Sequence, residues 1–220
     1  MIKAIIFDMD GVLIDSPKYN WEAFNQILQK KYGVQIPMQK KKERYLGRSL
    51  KEQLEMIRYD YNINEEINVS EFSKEARTIQ EQLMKNILVP NPNILNLISE
   101  AKKQGIKVAV ATSSSKDRAI MILSKTAVYE KLDVFVNCED VKQHKPHPAL
   151  YLEAATQLEI DPKQCLVFED AYSGISAAQA AGMKVVGLVT DFHSAEELEH
   201  TDLVISNFAE ISVDKLQQLY

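Results

Sequence analysis

Carboxylate side chains follow two short apolar segments of this chain, and their number suits chemistry around a metal ion. Asp8 and Asp10 come directly after the first segment, and Glu169 and Asp170 come directly after a later one. Four carboxylates that share one site repel each other unless cations lie among them. Since a hard divalent cation prefers oxygen ligands, and Mg²⁺ commonly accompanies bound phosphate, the pattern predicts a Mg²⁺ site.

Hydroxyl groups and a lysine follow other apolar segments. Thr112, Ser113 and Ser114 follow a segment that ends at Ala111, and Lys145 lies in a proline-flanked loop before a predicted helix. Hydroxyls and backbone N–H groups at the start of a helix can hold phosphate oxygens, and a lysine can neutralise them. These residue types indicate a phosphate-binding site.

The two aspartates after the first segment can divide the work of phosphoryl transfer. Such a reaction needs a nucleophile, groups that neutralise the phosphate oxygens, and a proton donor for the leaving oxygen. We expect Asp8 to attack phosphorus, helped by Lys145 and the metal, and Asp10 to alternate between acid and base. Gly11 permits the tight turn that returns the chain. Alone, an aspartate pair after a strand often serves only turn or capping chemistry.

The segments that must position these residues alternate between strand and helix. Near-continuous runs of Val, Ile and Leu are typical of strands buried on both faces of a parallel sheet. Alternation predicts right-handed βαβ units in an α/β, doubly wound (Rossmann-like) sheet, whose ligands bind beyond the carboxyl ends of the strands. The predicted strands are Ile2–Phe7, Ile106–Ala111, Val134–Val136, Leu166–Phe168, Lys184–Val189 and Leu203–Ile205. The predicted helices are Ile94–Lys103, Lys116–Lys125, Pro148–Leu158, Ser173–Ala181 and Ser212–Leu219.

One long stretch breaks the alternation. Residues 15–87 carry helical spacing only, as in Trp21, Phe24 and Leu28, and the stretch is followed by two prolines, Pro90 and Pro92. We therefore predict an all-helical domain at 15–87, inserted after the first strand into an α/β domain made of 1–14 and 88–220. Its lysine run at 40–42 is interpreted as a solvated helix face.

Composition narrows the classes of function. The 220 residues carry a formal net charge of −5, which gives no basic field for nucleic acid, and the sequence has no apolar run long enough to span a membrane. Cys138 and Cys165 form neither a CxxC pair nor a disulfide framework. We expect a cytoplasmic protein, monomeric by default, that binds a small phosphorylated molecule rather than nucleic acid or membrane.

The same residues carry a family resemblance over nearly the whole chain. Four segments in order resemble the motifs of haloacid dehalogenase-like hydrolases, and two more resemble the β-phosphoglucomutase-like branch of that family. The four are Phe7-Asp8-Met9-Asp10-Gly11-Val12, Val110-Ala111-Thr112-Ser113-Ser114, Lys145-Pro146 and Phe168-Glu169-Asp170. The two are Leu13-Ile14-Asp15-Ser16 and Ala171-Tyr172-Ser173-Gly174-Ile175, running on to Ala181-Gly182.

The resemblance implies roles for these residues. It makes Asp8 the nucleophile, Asp10 the acid/base, Thr112 and Lys145 the phosphate holders, and the helical insert a mobile cap. It places Mg²⁺ on Asp8, the Asp10 carbonyl and Asp170 with Glu169. Dehalogenases of the family lack an acid two residues after the nucleophile, so Asp10 favours phosphate esters.

Residues of the insert decide between two activities that share this chemistry. The mutase resemblance requires a histidine soon after the hinge and an arginine after the cap glycine, Gly47. Those places hold Asn20 and Leu50, which favours a phosphatase over a sugar-phosphate mutase. Asn20, Gly47 and Arg48 are the candidate substrate contacts. A non-enzymatic phospho-acceptor domain is a third hypothesis, disfavoured by the early position of Asp8 and by the insert.

Overall fold

The computed structural model describes residues 1–45, 48–87 and 89–220. The chain divides into two compact units, an α/β unit of residues 1–15 and 88–220 and a helical unit of residues 16–87. Among the described residues, no helix combines the length and apolar character that crossing a membrane requires.

The α/β unit is built on a six-stranded, all-parallel sheet, which confirms the predicted fold class. The strand order is β3-β2-β1-β4-β5-β6, so the first strand lies at the centre, where the direction of winding reverses. The strands are β1 (Ala4–Phe7), β2 (Lys107–Ala111), β3 (Val134–Val136), β4 (Cys165–Glu169), β5 (Lys184–Leu188) and β6 (Leu203–Ile205). Ligand sites of such sheets lie outside the carboxyl ends of the strands near this reversal.

Helices fill the connections between the strands and also make up the helical unit. The helical unit holds α1 (Ser16–Tyr32), α2 (Met38–Arg44), α3 (Leu50–Asp60) and α4 (Val69–Ile87). The α/β unit holds α5 (Ile94–Lys103), α6 (Lys116–Lys125), α7 (Ala149–Leu158), α8 (Tyr172–Ala180) and α9 (Val213–Gln217). Short 3₁₀ turns occur at Tyr129–Lys131, Cys138–Asp140, Pro162–Gln164, Glu196–Leu198 and Phe208–Glu210.

The central strands are buried on both faces, as their sequence predicts. Ala4 and Ile6 of β1 point into an apolar core shared with α7 and α8. Phe7, whose side chain alternates to the other face, stacks on Phe168 of β4 with ring centroids 5.0 Å apart. Fully buried strands of this kind leave the chain little freedom to shift, so the residues that follow them are placed rigidly.

The helical unit has its own apolar core. α1 packs against α4, and α3 also contacts α4. Trp21 and Phe24 stack, and Phe72 meets the Phe24 ring edge-on. Asn25 is buried among these groups, and its amide exchanges two hydrogen bonds with the backbone of Ile36. The sequence predicted an apolar helix face that includes Trp21 and Phe24, and both residues lie in the core of this unit.

The predicted element bounds differ from the structure by one or two residues. β1 begins at Ala4 rather than Ile2, and α9 ends at Gln217 rather than Leu219. Glu169 was predicted to follow its strand, but it is the last residue of β4 because it pairs with Gly187 of β5. The side chain of Glu169 is therefore fixed by the sheet itself.

Candidate active site

A buried ion-pair cluster lies at the carboxyl ends of β1 and β4. Phe7 pairs with Phe168, so Asp8 and Glu169 emerge side by side. The ammonium of Lys145 bridges them, with 2.5 Å from its Nζ to Asp8 Oδ1 and 2.7 Å to Glu169 Oε1. The three predicted residues therefore meet in space although Asp8 and Glu169 are 161 positions apart in the sequence.

Glu169 is held from every side. Its Oε1 accepts hydrogen bonds from Lys145 and from the hydroxyl of Tyr151, at 2.6 Å. Its Oε2 accepts from the backbone N–H groups of Asp170 and Ala171, at 3.0 and 3.2 Å. Because a carboxylate offers about four acceptor positions, these four donors occupy Glu169 fully. Its main role in this geometry is to hold Lys145.

Two glycines make room for the carboxylates. A Cβ on Gly11 would lie 2.1 Å from Asp170 Oδ2, and one on Gly174 would lie 1.6 Å from Glu169 Oε1. Gly11 also has a φ of +93°, a conformation that side-chain-bearing residues rarely adopt. Both positions thus require glycine for the acids to reach their places.

The loop after β1 is fixed by its own hydrogen bonds. The backbone N–H of Gly11 donates to the carbonyl of Ile14, and Leu13 N–H donates to Met9. The side chain and backbone of Asn91 bind the carbonyls of Val12 and Leu13, at 2.6 and 2.8 Å. This loop carries Asp8 and Asp10, so these hydrogen bonds hold in place the backbone from which both side chains extend.

The carboxylate cluster fits a hard cation. Asp8, Glu169 and Asp170 offer oxygens that lie within 4.8 Å of one another, and all three residues are buried. Lys145 supplies one positive charge against these three carboxylates in the described chain. Since Glu169 already accepts four hydrogen bonds, the oxygens of Asp8 and Asp170 are the better candidates for metal ligation.

The proton affinities of the cluster reflect this excess of negative charge. Burial raises the pKa of Asp8 to about 7 against the opposing effect of Lys145, and Glu169 raises it further. Burial, with Glu169 and Asp8 nearby, raises the pKa of Asp170 to about 8. Burial acts to lower the pKa of Lys145, but Asp8 and Glu169 outweigh it and the pKa is raised.

Asp10 occupies a different environment from Asp8. The guanidinium of Arg118 binds both carboxylate oxygens of Asp10, with two N–O distances of 2.7 Å. The hydroxyl of Ser114 donates to Asp10 Oδ2 at 2.9 Å. The structure thus brings Ser114 to Asp10, although the sequence predicted it as a phosphate contact.

The remaining predicted residues of the α/β unit lie at the end of β2. Thr112 is buried, and its Oγ1 accepts the backbone N–H of Ser114 at 3.1 Å, while Ser113 is exposed. This contact leaves the hydrogen of the Thr112 hydroxyl as a donor. Lys145 Nζ lies 3.4 Å from the carbonyl of Ala111, the residue before Thr112.

The candidate substrate contacts of the helical unit are solvent-accessible. Asn20 and Arg48 are both exposed, and the side chain of Arg48 donates to the carbonyl of Arg44 at 3.3 Å. Leu50 packs against the apolar core of that unit. Gly47 lies outside the described residues. Substrate contact by Asn20, Gly47 or Arg48 stays a prediction.

Sequence reasoning missed two residues that contact the catalytic candidates. Tyr151 donates to Glu169, and its ring lies 4.8 Å from the ammonium of Lys145. Arg118 lies in the first turn of α6, and Ser114 lies two residues before that helix begins at Lys116. Nearness in sequence to the predicted phosphate loop was the signal available for Arg118. For Tyr151 the signal was its place on the sheet-facing side of α7.

Comparisons with known proteins agree with the motifs. The family model for haloacid dehalogenase-like hydrolases matches residues 5–188. The phosphorylated carbohydrates phosphatase of Thermotoga maritima is 29% identical over 198 residues, which cover 90% of each chain. The β-phosphoglucomutase of Bacillus subtilis is 29% identical over 223 residues, covering 99% of this chain and 95% of that protein. The crystal structure of β-phosphoglucomutase from Clostridium difficile superposes with a TM-score of 0.73 at 29% identity, covering 100% of this chain and 97% of that one.

Proposed function

We propose, given that this chain belongs to the haloacid dehalogenase-like hydrolases and to their β-phosphoglucomutase-like branch, that it is a Mg²⁺-dependent phosphatase. Its substrate would be a small phosphorylated metabolite of the sugar phosphate class. The observation that carries the proposal is the contact of Lys145 with both Asp8 and Glu169 at the central strand ends. A buried carboxylate held by a lysine is poised for attack on an anionic phosphoryl group.

In the first half of the reaction, Asp8 attacks phosphorus. Lys145 binds Asp8 Oδ1, so we propose that Oδ2 forms the new bond. The ester P–O bond breaks as that bond forms, and the leaving alkoxide takes a proton from Asp10. Thr112 and the N–H groups at the start of α6 hold the phosphate oxygens. The products are an aspartyl-phosphate on Asp8 and a free alcohol.

In the second half, water resolves the aspartyl-phosphate. Asp10, now a carboxylate, takes a proton from the water molecule while the oxygen of that water attacks phosphorus. The P–O bond to Asp8 breaks, which restores the Asp8 carboxylate and releases inorganic phosphate. One residue therefore serves as acid and then as base, and each turnover leaves the protein unchanged.

The carboxylate cluster accounts for the metal requirement. Asp8 and Asp170 would hold Mg²⁺, with the backbone carbonyl of Asp10 as the ligand that the family resemblance adds. When bound, Mg²⁺ would neutralise negative charge on the phosphate oxygens and on the carboxylates around them. Glu169 and Tyr151 act indirectly. Glu169 binds Lys145 and Tyr151 binds Glu169, so together they fix the position of Lys145.

The choice of phosphatase over mutase rests on two positions in the helical unit. A mutase must keep water from its aspartyl-phosphate and orient a sugar hydroxyl towards it, and the resemblance assigns these tasks to a histidine and an arginine. Asn20 and Leu50 hold those places. The Thermotoga maritima relative is named as a phosphatase and the Bacillus subtilis relative as a mutase.

The test is release of inorganic phosphate from a panel of sugar phosphates at saturating Mg²⁺. We expect release with at least one sugar phosphate, and none from the Asp8→Asn protein. Isomerised sugar phosphate without free phosphate would establish the mutase instead. A phospho-aspartate that lasts for hours after treatment with acetyl phosphate, with no turnover, would support the phospho-acceptor hypothesis.

The wider setting of the enzyme is part of the proposal. We propose a cytoplasmic monomer with a small-molecule substrate. The net charge of −5 offers no basic field for nucleic acid, which supports a small molecule as the substrate. We also keep the prediction that the helical unit acts as a cap that selects the leaving group. The phosphate-handling candidates all belong to the α/β unit, so selectivity must depend on other residues.

A further inference from the structure

The carboxylate of Asp10 is bound by a guanidinium fork. Arg118 Nη1 lies 2.7 Å from Asp10 Oδ2, and Arg118 Nη2 lies 2.7 Å from Asp10 Oδ1. Ser114 donates to Oδ2, and Arg118 Nη1 also donates to the Ser114 hydroxyl. Both charged side chains are partly buried, with 19% of Arg118 and 30% of Asp10 exposed. Because each carboxylate oxygen of Asp10 accepts from a different nitrogen of Arg118, the planes of the carboxylate and the guanidinium have a fixed relative orientation.

The local sequence explains the arrangement. Ser114 lies in the turn after β2, two residues before α6 begins, and Arg118 lies in the first turn of that helix. One short segment of five residues therefore carries both partners of Asp10. Asp10 lies on the loop after β1, the neighbouring strand. The fork therefore ties the two loops together across the strand ends. A lysine at 118 would supply a point charge, but it would not fix the plane of the carboxylate.

We infer that Arg118 is a positioning residue for proton transfer by Asp10. It holds the carboxyl group in the orientation from which its proton passes to the leaving oxygen as the ester P–O bond breaks and the Asp8–phosphorus bond forms. The inference rests on the proposed function, because it names the residue that directs the acid of that reaction. General acid catalysis contributes about 10²- to 10⁴-fold, and its benefit depends on orientation.

Dependence on the leaving group separates this role from a structural one. A phenolate leaves poorly without a proton, whereas a p-nitrophenolate is stable as the anion and needs little protonation. Phenyl phosphate and p-nitrophenyl phosphate have nearly the same shape, so a change in binding affects both similarly. The ratio kcat/KM reports the free energy of the transition state relative to free enzyme and substrate. It therefore follows formation of the aspartyl-phosphate and not its hydrolysis.

The experiment measures kcat/KM of the intact, Mg²⁺-loaded protein for a series of aryl phosphates from phenyl to p-nitrophenyl. For Arg118→Gln we expect a fall of about 10- to 100-fold with phenyl phosphate and less than about threefold with p-nitrophenyl phosphate. The plot of log kcat/KM against leaving-group pKa should become steeper. Arg118→Lys should recover only part of the loss with phenyl phosphate, because it keeps the charge without the fork.

Lys125→Gln is the matched control, since it removes one positive charge from the last turn of the same helix, and it should leave the plot unchanged. An equal loss with all aryl phosphates, or no loss with any, would overturn the inference while leaving the phosphatase intact. If wild type and Asp8→Asn are equally inactive both on this series and on the sugar phosphate panel, the proposed function itself fails. Should Arg118→Gln not fold, the steeper plot is required of Arg118→Lys, and a parallel shift there overturns the inference.

Discussion

The two units of this protein each contain a cluster of charged side chains, and the clusters differ in their balance. In the α/β unit, Lys145 faces the carboxylates of Asp8 and Glu169, with Asp170 beside them. In the helical unit, Arg44 binds both carboxylate oxygens of Asp60, which also accepts a hydrogen bond of 2.6 Å from the hydroxyl of Tyr45. The first cluster has more acids than bases, and the second is matched one to one.

The difference is visible in the proton affinity of the acids. Hydrogen bonds from Arg44 lower the pKa of Asp60 to about 2. Asp60 is therefore stable in its charged form, and we expect the pair to stabilise the fold. Burial raises the pKa of Asp170 to about 8, so this carboxyl group resists ionisation until something else supplies charge. Acidic groups whose pKa is shifted in this way are typical of functional sites. The cluster with the excess of acid is therefore our candidate for binding a cation and a phosphate.

The largest expected effect comes from removing one acid from each cluster. Asp8→Asn should abolish phosphate release, by about 10⁴-fold or more, because the nucleophile is lost. The protein should stay at least as stable to heat, since a repelling charge is gone. Asp60→Asn should leave turnover nearly unchanged but lower the melting temperature, because Arg44 loses its negatively charged partner and one of the two acceptor oxygens at residue 60.

Phosphate release and thermal unfolding of both variants test this contrast. More than a trace of Mg²⁺-dependent turnover by Asp8→Asn would contradict the covalent mechanism. A melting temperature unchanged by Asp60→Asn would contradict the structural role of the second cluster.

A second contrast uses one glycine from each unit. Gly174→Ala places a Cβ 1.6 Å from Glu169 Oε1, so Glu169 must shift and Lys145 with it. We expect at least about a tenfold loss of turnover together with lower stability. Gly33→Ala meets no atom within 4 Å but has a φ of +68°, so it should cost about 1 kcal/mol of stability and no activity. Equal activity losses in the two variants would remove the distinction between the units.

The fold was predictable because its signal is local and repeated. Continuous apolar segments such as Ile106–Ala111 can only be strands or buried helix segments, and their alternation with amphipathic segments predicted the parallel sheet. The bounds were less predictable: β1 starts at Ala4 because the pairing partner Lys107 begins there. Strand ends depend on neighbours that are distant in sequence.

The site was predictable only as far as residue type carries the signal. Asp8, Lys145 and Glu169 are unusual residues at strand ends, and the structure brings them into contact. Tyr151 and Arg118 lie inside ordinary helical segments, where a tyrosine reads as core and an arginine as surface. Their contacts arise from the orientation of α7 and α6 against the sheet. The sequence offered only a sheet-facing helix position for Tyr151 and nearness to the phosphate loop for Arg118.

Metal binding should affect the two clusters differently. Adding Mg²⁺ to protein stripped with EDTA should restore turnover and raise the melting temperature, because a ligand that binds only the folded state stabilises it. At about 100 times the dissociation constant the gain is about 2.7 kcal/mol. Asp170→Asn should lose most of this gain, whereas Asp60→Asn should keep it. KCl at the same ionic strength is the control. Stabilisation by KCl to the same extent would show that salt screens the charges in general and that Mg²⁺ does not bind at a specific site.

The pH dependence of stability in the metal-free protein should have opposite signs for the two clusters. The pKa of Asp170 is raised from 3.8 to about 8 by burial. Its contribution to the free energy of unfolding is therefore fully present below about pH 3.8 and is lost as pH rises through about 8. The pKa of Asp60 is lowered to about 2 by Arg44, so its contribution is present above about pH 3.8 and is lost as pH falls through about 2. Melting temperatures measured in EDTA should therefore decline towards alkaline pH in wild type and less so in Asp170→Asn. Asp60→Asn should reduce only the decline of melting temperature towards acid pH. If both variants reduce the same decline, the two clusters do not differ in the way their geometry indicates.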